Sequence, residues 1–217
     1  MNLPNSITLA RICCVPLFLW ILSSPGLGQT HGMRELMAAA VFLLGSITDG
    51  VDGYLARRTH QVTTLGTLLS PLADKLLVST AYIALVRTAP ALVPGWIAVL
   101  IVAREFLVTG LQSVAMQEGF ALEVRDIGKL KTLLQIVSVI SVLLAHAWPV
   151  WTVHGIHLPG TAIATGGVWL MLAVSLLSAA VYFRAFWHEA VRRSKPWRTP
   201  RPFVIDRPGD KSVGARG

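Results

Sequence analysis

The chain has 217 residues, of which 53% are hydrophobic and 14% charged. That is enough for one domain of ordinary size, and its apolar residues come in long runs that point to a bilayer and not to a water-soluble globule. The net charge of +8 is not accompanied by any nucleic-acid recognition motif, so it is read as a topology or lipid signal and nucleic acid is excluded as a partner.

The N-terminal stretch "MNLPNSITLARICC" has no basic leader region and no small-residue cleavage site follows, so no removable signal peptide is expected. The first apolar segment spans about residues 7–22. It holds Cys13 and Cys14, which as helix neighbours point about 100° apart and are read as packing residues, not as a disulfide. Five more helical segments follow at about 36–54, 68–86, 93–116, 130–148 and 166–187. The breaks carry Gly, Pro and His: "SSPGLGQTHG", "RTAPALVPG", "VHGIHLPG". The expectation is an all-α integral membrane protein of six transmembrane helices, with a membrane domain over residues 1–187. Residues 188–217 hold eight Lys or Arg against three acids and four prolines, the composition of a basic, disordered cytoplasmic tail.

Loop charge sets the orientation. Arg57 and Arg58 lie in the second connection, Arg125, Lys129 and Lys131 in the fourth, and the tail is basic, while the first and third connections have one Arg each and the fifth has none. The positive-inside bias then places both termini and the second and fourth connections in the cytoplasm.

Under this topology Asp49, Asp52 and Asp74 all fall at cytoplasmic helix ends. Asp49 and Asp52 share a helix face, three residues apart, and Ser70 and Asp74 share one, four apart. A short turn after Arg57 lets the two faces meet. Three carboxylates at a membrane edge repel one another, and a charge at membrane depth costs about 3 kcal/mol even on lenient scales. A hard divalent cation relieves both, since it takes oxygen ligands and, for Mg²⁺, prefers a few carboxylates plus substrate phosphates. Gly53 lets a ligand approach the backbone, Ala56 keeps the following turn narrow, and Arg57 offers a planar donor fork to phosphate. Ser70, followed by Pro71, reads either as the N-cap of the third helix or as a neutral metal ligand.

"DGVDGYLARR" followed by "LGTLLSPLADK" resembles the signature of the CDP-alcohol phosphatidyltransferases, D-x2-D-G-x2-A-R-x8-G-x3-D-x3-D. Asp49, Asp52, Gly53, Ala56, Arg57, Gly66 and Asp74 match with every spacing kept, and Ser70 stands where the third Asp belongs. The resemblance implies two divalent metal ions, Mg²⁺ or Mn²⁺, held by Asp49, Asp52, Asp74 and Ser70, with one site weakened by the missing carboxylate. It implies that Asp74 is the general base and that Gly53, Ala56, Arg57 and Gly66 surround the nucleotide and phosphates of CDP-diacylglycerol. It further implies a homodimer in the bacterial inner (cytoplasmic) membrane, in contact with membrane lipid, with the active site open to the cytoplasm.

The acceptor is read from "IVAREFLVTGLQ" and "DIGKLKT". Arg104, within an apolar segment, is either half of an internal pair with Glu105 or an anion clamp; Lys129 and Lys131 are either topology signals or further donors. With "NLPNSITLARICCVPLF", where Asn5 and Thr8 would lie at the site rim, these stretches resemble the phosphatidylglycerophosphate synthase branch. That branch implies glycerol 3-phosphate as acceptor, held by Arg104, Lys129, Lys131 and Gln112 through charge-assisted hydrogen bonds. Gln112 stands where an Arg is expected. The competing readings are a cardiolipin, phosphatidylserine or phosphatidylinositol synthase, a family member with impaired catalysis, and a transporter.

Overall fold

The structure, a computed structural model, describes residues 3–24, 32–59, 64–120, 125–153 and 156–193; the side-chain description further excludes residues 3–8, 49–59, 64–71, 74, 125–129, 153, 156 and 193. Six helices follow in order: α1 (Leu3–Ser23), α2 (Met33–Thr59), α3 (Thr64–Thr88), α4 (Gly95–Gln117), α5 (Arg125–Ala147) and α6 (Gly160–Arg193). All six apolar segments of the sequence are therefore helices, most of them longer than the apolar run that announced them. The polar ends continue the helices because their backbone groups stay paired in the helical ladder. Among the described residues, Gly95–Gln117, Leu130–Ala147 and Gly160–Arg192 are long and apolar enough to cross a membrane, and Leu9–Ser23 forms a shorter apolar stretch.

Three differences from the sequence reading concern boundaries and connections. The third helix begins at Thr64, so Ser70 and Pro71 lie in its second turn; the N-cap reading of Ser70 is corrected, because a cap residue must flank the helix. The last helix runs to Arg193, so the first residues assigned to the tail extend α6, while residues 194–217 lie outside the described residues. The fifth connection is not an irregular break but a small antiparallel hairpin of β1 (Val150–Val153) and β2 (Ile156–Pro159), with Trp151 opposite Leu158 and Val153 opposite Ile156. Its β-branched and aromatic residues favour strand, and the two residues between the strands are the length of the tightest hairpin loops.

The helices close into a ring of contacts: α1 packs on α2 and α3, α2 on α5, α5 on α6, α6 on α4, and α4 on α3. They alternate in direction. Gly32, just before α2, lies against Trp148 after α5. Trp96 at the start of α4 meets Trp169 in α6 edge to face, with ring centroids 5.5 Å apart, and Phe120 after α4 meets Phe186 near the end of α6. Inside the ring, Phe18 and Ile21 of α1, Phe42 of α2, Leu77 and Leu85 of α3, Ile101 of α4, Leu143 of α5 and Met171 of α6 form one buried core. Across it α3 and α5 are tied by the Tyr82 and Ser138 hydroxyls, 2.6 Å apart. The ring brings the start of α1, the end of α2, and the starts of α3 and α5 to one end of the bundle.

Candidate active site

Asp49, Asp52, Gly53, Ala56 and Arg57 lie on the last turns of α2, and Gly66, Ser70 and Asp74 on the first turns of α3. Asn5 and Thr8 lie on the first turns of α1 and Lys129 on those of α5. The side chains of all eleven are outside the described residues, so their contacts are not part of the geometry below. What the structure does describe is the junction directly beneath them.

That junction is unusually close. A Cβ added at Gly45 would stand 2.7 Å from Leu77 Cδ2 and 3.6 Å from Cys14 Cβ. Gly45 precedes Asp49 by one helical turn, and Leu77 follows Asp74 by nearly one turn. Three helices therefore meet on one missing side chain, one turn below the carboxylates. Arg11, the largest fully buried side chain at 1% exposure, donates its Nε–H to the Gly45 carbonyl at 3.2 Å. In the helix ladder that carbonyl also faces the amide of residue 49, so a buried cation on α1 is anchored at the turn that carries Asp49. The sequence reading passed over Gly45; its signal was a lone Gly in an apolar helical run, which costs helix stability unless close packing requires it.

This arrangement carries a prediction. Gly45→Val should destabilise the protein by about 1–3 kcal/mol, the usual cost of overpacking, and widen the gap between α2 and α3. The metal concentration for half-maximal activity should rise, and Leu77→Ala in the same chain should restore part of it. Unchanged metal dependence in Gly45→Val would show that this contact does not set the spacing of the motif.

A second polar cluster lies across α4, α5 and α6. Glu105 Oε1 accepts from Arg104 Nη1 at 2.8 Å and from Gln135 Nε2 at 3.0 Å, and it pairs with Lys131. Arg104 also donates from Nε to the Ser175 carbonyl at 3.0 Å and from Nη2 to Ser178 Oγ at 2.9 Å. Of the two readings of Arg104, the structure shows the internal pair. Three of the five guanidinium N–H groups are used in it. Gln112 is half-buried on the helix face that carries Glu105 and Thr109, two turns nearer the end of α4. Gln135, Ser175 and Ser178 were not singled out from the sequence. Their signal was modest: Gln135 is four residues after Lys131, and Ser175 and Ser178 are three apart in an otherwise apolar helix, each on one face.

The motif residues Asp49, Asp52, Asp74 and Ser70 carry oxygen donors, the type that suits a hard divalent cation and not a soft one. Arg57 follows one turn after Gly53. Such a set can grip a pyrophosphate and neutralise a departing phosphate.

Comparison with known proteins is consistent with this chemistry. The family model described as CDP-alcohol phosphatidyltransferase matches residues 1–177. A CDP-diacylglycerol–glycerol-3-phosphate 3-phosphatidyltransferase of Bacillus subtilis (strain 168) is 40% identical over 200 residues, covering 89% of this chain and 98% of the relative. Proteins of the same name from Rickettsia bellii (strain RML369-C) and Pseudomonas fluorescens are 33% and 32% identical, covering 85% and 86% of this chain and 94% and 91% of their own lengths.

Proposed function

The chain belongs to the CDP-alcohol phosphatidyltransferase family, and from that premise we propose that it transfers the phosphatidyl group of CDP-diacylglycerol to glycerol 3-phosphate, giving phosphatidylglycerol phosphate and CMP in phospholipid biosynthesis. The observation that carries the proposal is the signature itself: seven of its eight fixed positions match, placed on the facing ends of α2 and α3. The printed names of the relatives supply the acceptor.

In this reading Asp74 takes the proton from the 1-hydroxyl of glycerol 3-phosphate. The freed oxygen attacks the lipid-bearing phosphorus, its P–O bond forms, and the bond to the CMP oxygen breaks. Arg57 donates to the phosphate oxygens and offsets the charge that CMP carries away. Bound Mg²⁺ or Mn²⁺ would supply charge neutralisation of the pyrophosphate, with Asp49, Asp52, Asp74 and Ser70 as its holders. Gly53, Ala56 and Gly66 keep the approach to the nucleotide open. The acceptor phosphate is assigned to Lys129, Lys131 and Gln112. Arg104 reaches it only through the two N–H groups that its internal bonds leave over. Lys131, tied to Glu105, keeps the acceptor pocket at a fixed distance from α4, and Asn5 and Thr8 line the rim.

The six helices are proposed to span the bilayer of a bacterial inner membrane with both termini and the motif on the cytoplasmic side, as the loop charges require, and the protein to work as a homodimer. The domain division at residues 187 and 188 is kept as a functional boundary, with the helical start of the second part an extension of α6.

The test is CMP release by the purified protein over a metal titration, with glycerol 3-phosphate, inositol, serine and phosphatidylglycerol as acceptors. Release with glycerol 3-phosphate alone is the expected result; release with another acceptor and not this one overturns the assignment. The same titration on Ser70→Asp should need less metal for half activity, because a fourth carboxylate joins the set. If only the Asp variant is active at any metal level, the natural chain is a catalytically impaired member.

A further inference from the structure

A cavity of about 740 Å³ opens at the opposite end of the bundle, between the end of α1, the start of α2 and the end of α3. Arg34 and Arg87 line it, together with the hydroxyls of Ser23, Thr80 and Thr88 and an apolar wall that includes Leu19, Leu22 and Ile83. Arg87 is thirteen residues beyond Asp74 on the same helix, about 20 Å at 1.5 Å per residue, so the cavity is separate from the catalytic end.

Charge and surroundings define what fits there. Arg34 is held through Nε and Nη2 by Glu35 Oε1, at 3.0 and 2.6 Å. Glu35 is itself buried, with His146 Nε2 3.9 Å from the same Oε1. That pairing fixes the Arg34 fork and cancels its charge. Arg87 is exposed and has no hydrogen bond or ion pair among the described residues. The cavity thus keeps one net positive charge beside several donors, the complement of a singly charged phosphodiester more than of a doubly charged free phosphate. The apolar wall continues from the same opening and suits an acyl chain. Exposed Trp20 and Trp96 stand at this end of the bundle, the level at which indoles mark the headgroup region of a bilayer.

We propose that this cavity is a binding site for one anionic glycerophospholipid of the leaflet opposite the catalytic motif. Arg87 and the Glu35-oriented Arg34 hold its phosphodiester, and the Leu19, Leu22 and Ile83 wall holds the first part of a chain. Ser23 and Thr80 add hydroxyls that can donate to the phosphodiester, while the Thr88 hydroxyl is spent on the Ala84 carbonyl at 3.0 Å. The site is independent of which alcohol the enzyme uses as acceptor.

The experiment is native mass spectrometry of the full chain in neutral detergent, titrated with dioleoyl phosphatidylglycerol or dioleoyl phosphatidylcholine, alongside thermal melting with each lipid. One phosphatidylglycerol should bind with preference and raise the melting temperature. Arg87→Gln should lower the bound fraction about five-fold and remove the thermal shift. Arg87→Lys should keep most of both, and Arg192→Gln, at an exposed position near the far end of α6, should change neither. Equal binding of phosphatidylcholine, or a bound fraction unmoved by Arg87→Gln, overturns the proposal. Displacement of the lipid by millimolar inorganic phosphate also overturns it, in favour of a soluble-anion site.

Discussion

Asp74→Asn is expected to lower CMP release by about 10²–10⁴-fold, the usual contribution of a positioned general base, while leaving the melting temperature within a few degrees of the natural chain. The reasoning rests on the two tasks given to this side chain. As an oxygen donor, Asn keeps part of the ability to hold a cation; as a base, the amide has none. The loss should therefore persist at saturating metal and appear in kcat more than in the KM for glycerol 3-phosphate. Asp49→Asn and Asp52→Asn should behave differently and recover in part as metal is raised. A full rescue of Asp74→Asn by metal would remove the base assignment and leave Asp74 as a ligand only.

The largest stability effect is expected at Glu105. It is 7% exposed and accepts from Arg104, Gln135 and Lys131 at once. Glu105→Ala leaves the Arg104 guanidinium, 4% exposed, without its counter-charge. Breaking a buried pair in this way costs about 3–5 kcal/mol, which for a chain of this size lowers the melting temperature by about 10 °C. Removing both charges with Arg104→Met and Glu105→Met in one chain should be less harmful than Glu105→Ala alone, because only Lys131, and not Arg104 as well, then loses the Glu105 counter-charge. Melting curves in detergent measure both. If the double variant is the less stable, the pair is a net stabiliser and its four contacts to α6 and α5 outweigh its desolvation.

The sequence made the helices legible because the six apolar runs are long and continuous enough to survive any reasonable boundary choice. It made the motif legible because Asp49, Asp52 and Asp74 keep fixed offsets that a lone carboxylate does not have. It hid four things. The N-cap reading of Ser70 arose because Ser followed by Pro mimics a cap, yet the helix runs back to Thr64 and holds Pro71 inside it. The hairpin at Val150–Pro159 was hidden because four-residue strands between long helices carry too little periodicity to stand out. The closeness of α1, α2 and α3 at Gly45 was hidden because a single glycine in an apolar run says that space is short without saying which neighbour takes it. The partners of Arg104 beyond Glu105 were out of reach for a similar reason: Ser175 and Ser178 are more than 70 residues away in sequence, and local spacing carries no information about them.

That last separation has a consequence for how the chain is made. At synthesis rates of about 5–20 residues per second, the α6 partners of Arg104 emerge several seconds after α4 does. During that interval Glu105, its neighbour in the chain, is the counter-charge that enters the bilayer with it. A central Arg alone costs roughly 2.5–3.5 kcal/mol to insert, so a counter-charge within α4 itself matters before α5 and α6 are made. Gln135 and Lys131 then arrive with α5, and Ser175 and Ser178 last. The order of synthesis therefore sets an order of assembly: the Arg104–Glu105 pair can form as soon as α4 is made, and its bonds to α5 and α6 only once those helices follow.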